Sequence, residues 1–158
     1  MKTEKVSLDR YDRKILEHLQ MNGRVSNQEL ADAIGLSPSP CLRRVRALEE
    51  AGLIVGYRTV LDAKKLGYAL EALIYISMDQ HTPERFANFE SEIKKIGEVQ
   101  ECLLITGQQA DYQLRVIVQD MDAYQVLLLN RITRIKGVTG VHTSFVLRRV
   151  VAGAPVPV

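Results

Sequence analysis

A chain of 158 residues with 46% hydrophobic content has room for one domain or two small ones and enough apolar material for real cores. Its net charge of +2 is too small to argue for a nucleic-acid partner by itself, although residues 1–60 hold ten Lys and Arg against eight Asp and Glu and the remainder balances at eleven of each. Cys41 and Cys102 stand far apart and outside any metal-spaced cluster, and no leader pattern or membrane-spanning apolar run is visible, so reduced thiols, no metal and a cytoplasmic location are expected.

Residues 8–20 carry apolar side chains at Leu8, Tyr11, Ile15, Leu16 and Leu19, the one-face spacing of an amphipathic helix, and Asn22-Gly23 ends it. Ser26 predicts the cap of a second short helix, with Glu29 completing a capping box. Leu30, Ala33 and Ile34 are expected to face inward there, and Gly35 stops it. A third helix follows Gly35-Leu36-Ser37. Ser39 is expected to cap it, Pro40 to take its first position, and Gly52 to close it in the left-handed conformation. Leu42, Val45 and Leu48 recur at helical spacing and are expected to point inward, with Cys41 beside them.

Two short amphipathic helices bridged by a glycine turn read as a helix-turn-helix. The exposed first turn of the last helix can present the hydroxyls of Ser37 and Ser39 and the guanidinium of Arg43 to phosphates and base edges. Arg44 and Arg46 on the same helix join them as candidate DNA contacts.

Residues 54–61 alternate in β fashion, as a wing beside the helices or as a strand leading onward. Turn-rich residues 62–67 mark a boundary, which divides the chain into domains at 1–61 and 62–158. Beyond it come a strand over 69–78 and a helix opened by Thr82-Pro83. Phe86, Phe89, Ile93 and Ile96 form the stripe of that helix and Gly97 its stop. Strands at 99–106 and 111–118 flank the turn Gly107-Gln108-Gln109-Ala110. Asp120 caps another helix, with Tyr124, Leu127, Leu128 and Ile132 inward and Lys136-Gly137 as its end, and the last strand covers 138–150.

The order β-α-β-β-α-β is the ferredoxin-like arrangement, one antiparallel four-stranded sheet with both helices on one face. Two helices cover only one face, yet runs such as Leu73/Ile74/Tyr75/Ile76 and Val116/Ile117/Val118 place apolar residues on both. Dimerisation, sheet against sheet, resolves that excess. The expected fold class is α+β: a helix-turn-helix domain, with residues 54–61 as its wing or as the strand leading onward, followed by a ferredoxin-like βαββαβ domain. His18, His81 and His142 are widely separated and no nucleophile–base pair is visible, so no catalytic residue and no enzyme are expected.

These features resemble the Lrp/AsnC family of bacterial and archaeal transcription regulators, the feast/famine regulators. The likeness covers nearly the whole chain. It rests on Leu8-Asp9 with Asp12 and Ile15-Leu16, on Asn22-Gly23-Arg24, and on the run from Gly35 to Leu42 with Arg44, Val45 and Leu48-Glu49. Gly52, Ile54, Gly56-Tyr57, Glu101-Cys102, Thr106-Gly107, Asp111-Tyr112 and Asp120-Met121 continue it. The resemblance implies a winged helix-turn-helix domain joined to a ferredoxin-like effector-binding domain, dimers that assemble into octamers or related rings, a double-stranded DNA operator, and a free amino acid bound in clefts between neighbouring dimers.

The resemblance places the helix-turn-helix on residues 27–46 and an effector pocket around Leu104, Thr106, Gly107, Asp111, Met121, Thr143 and Ser144, with Gln108 of the adjoining loop. One departure stands out: the family spaces its pocket glycine three residues before the aspartate, and here Gly107 precedes Asp111 by four. The longer loop moves the backbone groups that hold the ends of the ligand.

In chemical terms, amides beside Gly107 can converge on a carboxylate, and Asp111 supplies a charge for an ammonium. The hydroxyls of Thr106, Thr143 and Ser144 and the walls offered by Leu104 and Met121 suit an amino acid such as leucine or methionine, while Gln108 and Gln109 leave a polar one open. The plainer alternative is a hairpin turn followed by an ordinary strand start. The expected function is a DNA-binding transcription regulator that responds to a free amino acid and uses no cofactor. The alternative is an effector-independent DNA-organising oligomer of the same architecture.

Overall fold

The computed structural model describes residues 6–107 and 110–158. It forms two compact units, one of Met1–Val60 with Val151–Val158 and one of Leu61–Val150. Among the described residues, no helix is long and apolar enough to cross a membrane.

The first unit is built from α1 (Arg10–Met21), α2 (Asn27–Ile34) and α3 (Pro38–Glu50). Asp9 caps α1, its Oδ1 accepting from the N–H groups of Tyr11 (2.7 Å) and Asp12 (2.9 Å). Ser26 and Glu29 form the expected capping box of α2. Gly35 then turns the chain at φ 75, and the Leu36 N–H donates back to the Ala31 carbonyl at 2.9 Å. Gly52, at φ 70, closes α3 in the same way, with Leu53 N–H donating to the Leu48 carbonyl at 3.0 Å. Only glycine takes such a left-handed position without steric cost.

Ile15, Leu16, Leu30, Ala31, Ile34, Cys41 and Leu48 make the core of this unit. Two inward assignments are corrected. Ala31, not Ala33, is buried on α2, and Leu42 on α3 is 39% exposed. The start of α3 is also corrected, since Ser37 is its N-cap and Pro38 its first residue. Residues 54–61 form no strand. A β-ladder needs a neighbour for its N–H and C=O groups. Here Ile54 packs on the helices, the Tyr57 hydroxyl donates to Glu49 Oε1 at 3.0 Å, and Val55 and Val60 point outward.

The C-terminal tail joins this unit, although the boundary at residue 62 had grouped it with the second. Gln20 clasps the backbone of Val156, accepting from its N–H at 2.6 Å and donating to its carbonyl at 3.1 Å, and Val158 packs on the core.

The second unit comprises β1 (Leu70–Met78), α4 (Pro83–Ile93), β2 (Val99–Leu104), β3 (Tyr112–Val118), α5 (Met121–Leu127), a π-helical turn (Leu128–Ile132) and β4 (Val138–Phe145). The strands lie in the order β2-β3-β1-β4 and every pair is antiparallel. Period-two alternation sends Ala72, Ile74, Ile76 and Met78 of β1 to the covered face with Tyr112, Leu114, Val116 and Val118 of β3. There they meet Phe89, Ile93, Tyr124, Leu127 and Ile132.

Beyond shifts of one or two residues, two element ends and the course of one helix differ from expectation. Helix α4 stops at Ile93, before Gly97. Strand β4 stops at Phe145, five residues short of Val150. The helix after Asp120 is not uniform: the Thr133 N–H reaches back five residues to the Leu128 carbonyl at 3.0 Å. That widened turn lets Leu127, Ile132 and Ile135 all face the sheet, a spacing an unbroken α-helix cannot satisfy.

The opposite face of the sheet is amphipathic rather than wholly apolar, as a second correction to the alternation argument. Leu73, Tyr75, Leu103 and Ile117 share it with Glu71, Glu101, Gln113 and Arg115. Arg115 lies 3.6 Å from both Glu71 and Glu101, and Arg149 Nε donates to Glu71 at 3.1 Å.

Candidate functional site

Helix α3 presents Ser39, Leu42, Arg43, Arg46, Ala47 and Glu50 along a shallow open groove of about 340 Å³. These positions recur at three- and four-residue intervals, so they form one helical stripe opposite the buried Cys41 and Leu48. Ser37, at the N-cap, makes no side-chain cap bond. The usual donors to a cap oxygen are the N–H groups of the second and third helical residues, here Ser39 and Pro40, and Pro40 has none. The exposed Ser37 hydroxyl is thereby left available to an outside acceptor.

Arg44 does not share this stripe. Its Nη1 lies 2.8 Å from Asp9 and 2.8 Å from Asp12, and its guanidinium sits over the Tyr11 ring at 5.4 Å. The hydrogen bond it donates to Asp12 leads the influences that hold its pKa above the ordinary arginine value. The residue fastens α3 to the start of α1, apart from the outward stripe of Ser39, Arg43 and Arg46 with which the sequence groups it.

The seven described residues of the expected effector pocket do not gather in one place. Leu104, Thr106, Gly107 and Asp111 lie at one end of the sheet, where β2 runs out and β3 begins. Met121 follows the Leu70–Val118 pair at the other end, roughly 20 Å away at the rise of a strand. Thr143 pairs with Ile74 on the helix-covered face, and its hydroxyl is 2.6 Å from that of Tyr124. Ser144 pairs with Leu73 and therefore faces the opposite side. Gln108 lies outside the described residues.

Asp111 is held firmly. Its Oδ2 accepts the Met78 N–H at 2.7 Å, and its Oδ1 lies 2.7 Å from His81 Nε2. Its own N–H donates to the Ile76 carbonyl at 2.8 Å. Among the described residues, no group of three or more His, Cys, Asp and Glu is placed to hold a metal.

Beside Leu104 the structure opens a small cavity of about 220 Å³, lined by Glu90, Ile93, Lys94, Cys102, Leu104 and Tyr112. The Tyr112 hydroxyl donates to Glu90 Oε1 at 3.0 Å, and burial first, then this carboxylate, pushes the phenol pKa well up. Burial likewise pushes the Cys102 thiol up to about 11. A carboxylate, an ammonium and apolar walls in so small a space match the two ends and the side chain of a free amino acid. Sequence reasoning missed Glu90 and Lys94; their four-residue spacing beside the Phe89/Ile93 stripe was the available signal.

Comparison with known proteins places both units. A winged helix-turn-helix DNA-binding model matches residues 8–55, and the Lrp/AsnC ligand binding domain matches residues 71–156. Leucine-responsive regulatory proteins of Klebsiella pneumoniae and Escherichia coli K12 are each 43% identical over 143 residues, spanning 90% of this chain and 87% of the relative. A Neisseria meningitidis transcriptional regulator solved in complex with L-Met superposes with a TM-score of 0.90 at 36% identity, covering 96% of this chain and 97% of that one. Escherichia coli AsnC does so with a TM-score of 0.83 at 30% identity, covering 93% and 97%.

Proposed function

Because the chain belongs to the Lrp/AsnC family of transcriptional regulators, with a DNA-binding and an amino-acid-binding domain, we propose that α3 reads operator DNA and that the Asp111 end of the sheet senses a free apolar amino acid. The observation that carries the first half is the outward stripe of α3. Arg43 stands about one turn into the helix, where a guanidinium reaches a guanine edge in the major groove. Arg46 and the hydroxyls of Ser37 and Ser39 contact neighbouring phosphates, and Arg44 supports them from behind.

For the effector, Leu104, Thr106, Gly107 and Asp111 supply one wall, extended by the cavity beside Glu90 and Lys94. Leucine or methionine is the proposed ligand. The names of the leucine-responsive relatives and the L-Met bound to the Neisseria protein support that choice. Met121, Thr143 and Ser144 sit too far off, or on the wrong face, to join the same ligand from within one chain. Any part they play comes from a second copy in a homo-oligomer, built on the amphipathic sheet face and working in the cytoplasm.

A thermal-shift screen of the twenty amino acids tests the reading. Ligand at about 100 times its dissociation constant stabilises the binding fold by about 2.7 kcal/mol. A shift with leucine or methionine supports the proposal. No shift with any amino acid leaves the effector-independent oligomer as the better account.

A further inference from the structure

We propose that the cleft between α4 and the π-helical turn is a second, sequence-independent DNA contact that takes the phosphodiester backbone of a duplex. The cleft encloses about 460 Å³ and sets four cations, Lys95, Arg131, Arg134 and Lys136, against a single carboxylate, Glu92. Residues 61–158 as a whole balance at eleven charges of each sign. The excess is therefore local, produced by folding and not by composition.

Two of the cations are already partnered. Lys95 Nζ lies 2.6 Å from Glu92, and Arg131 Nη1 lies 3.2 Å from Glu98. Arg134 donates only to the Leu129 carbonyl, at 3.4 Å, and among the described residues neither it nor Lys136 has a carboxylate within ion-pair reach. Both are exposed. The π-helical turn sits at the rim, and such turns recur at functional sites because the extra residue re-aims side chains. Here it directs Asn130, Arg131 and Arg134 into one cleft.

The chemistry favours a nucleic-acid backbone over a nucleotide. Lys, Arg and Asn side chains are the donors that contact phosphate and sugar. Among the described residues, no aromatic side chain lines the cleft to stack a base. A duplex offers such a cleft a regular row of phosphates without any demand on sequence.

The test is the salt dependence of binding to a random-sequence duplex of about 120 base pairs, by fluorescence anisotropy over about 50–300 mM salt. The double variant Arg134→Ala/Lys136→Ala should keep its circular-dichroism melting curve, because both side chains are exposed. Its slope of log affinity against log salt should fall by about two, since each lost phosphate contact removes about 0.9. Lys136→Glu alone should lower affinity further than Lys136→Ala. An unchanged slope overturns the proposal, and it does so most clearly if calorimetry shows pyrophosphate binding to the wild type and not to the double variant, which would make the cleft a small-polyanion site. Arg46→Ala serves as the comparator: as a phosphate contact of α3 it should weaken the same duplex if α3 binds DNA, so failure of that assignment would be visible separately.

Discussion

Arg44 Nη1 lies 2.8 Å from Asp12 Oδ1, across 32 residues of chain, while Arg43 one position earlier turns the other way into the exposed groove of α3. Adjacent arginines on one helix therefore have separate duties. Arg43→Ala should weaken operator binding by about 1–3 kcal/mol and leave the melting temperature unchanged. Arg44→Ala should do the reverse, lowering the melting temperature by about 2–4 °C for each kcal/mol lost while affinity per folded molecule holds. Gel-shift titration at fixed salt beside calorimetric melting reads both, and a swap of the two phenotypes would reverse the assignment.

Removing the charge of Asp111 should cost effector affinity. Asp111→Asn keeps the size of the side chain and a carbonyl oxygen for the Met78 N–H, but loses the anion. A charge-assisted bond contributes roughly 1.5–3 kcal/mol, so leucine or methionine should bind about 10- to 100-fold more weakly. Calorimetry showing equal affinity would take Asp111 out of the site.

Thr143 serves the core in this arrangement. Tyr124→Phe removes the hydroxyl 2.6 Å from Thr143 and should destabilise the second unit by about 0.5–1.5 kcal/mol. Effector affinity should not change. A drop in affinity without a loss of stability would return Thr143 to the ligand.

Cys102 makes the fold sensitive to alkali. Its thiol rises from an ordinary 9.0 to about 11 in the folded chain, chiefly through burial. The folded state thus holds its proton more tightly than the unfolded state. The associated stability is fully present below pH 9.0 and is lost as pH climbs through about 11. Denaturant melts at pH 8 and pH 10.5 should show a steeper loss for wild type than for Cys102→Ala. The same protonation predicts slow alkylation of Cys102 at neutral pH, because the thiolate is the nucleophile.

Much of this architecture was legible because its signals are short-range. The Ser26–Glu29 box, the Thr82-Pro83 and Asp120 caps and the glycines at 35 and 52 act within a turn of the backbone, and the structure uses all of them. The cap of α3 was misplaced because two serines and two prolines alternate there, and only the observed helix start at Pro38 chooses between them. The effector set was less legible. Strand alternation already separates Thr143 from Ser144, and a strand over 111–118 already sets Met121 at its far end from Asp111; what no local pattern shows is that the Thr143 hydroxyl meets that of Tyr124.

By itself, then, the sequence determined the three helices of the first unit, the βαββαβ order of the second, the two domain classes and the family, since periodicity, caps and motifs are written in neighbouring residues. Only the tertiary structure decided which arginine of α3 faces outward, because Asp9 and Asp12 compete for Arg44 from another helix. It alone decided that residues 54–61 remain without a ladder, that the tail returns to Gln20, and that four cations from separate segments meet in one cleft. Each of these outcomes depends on groups brought together across long stretches of chain, where charge and hydrogen-bonding partners are set by packing and not by sequence neighbours.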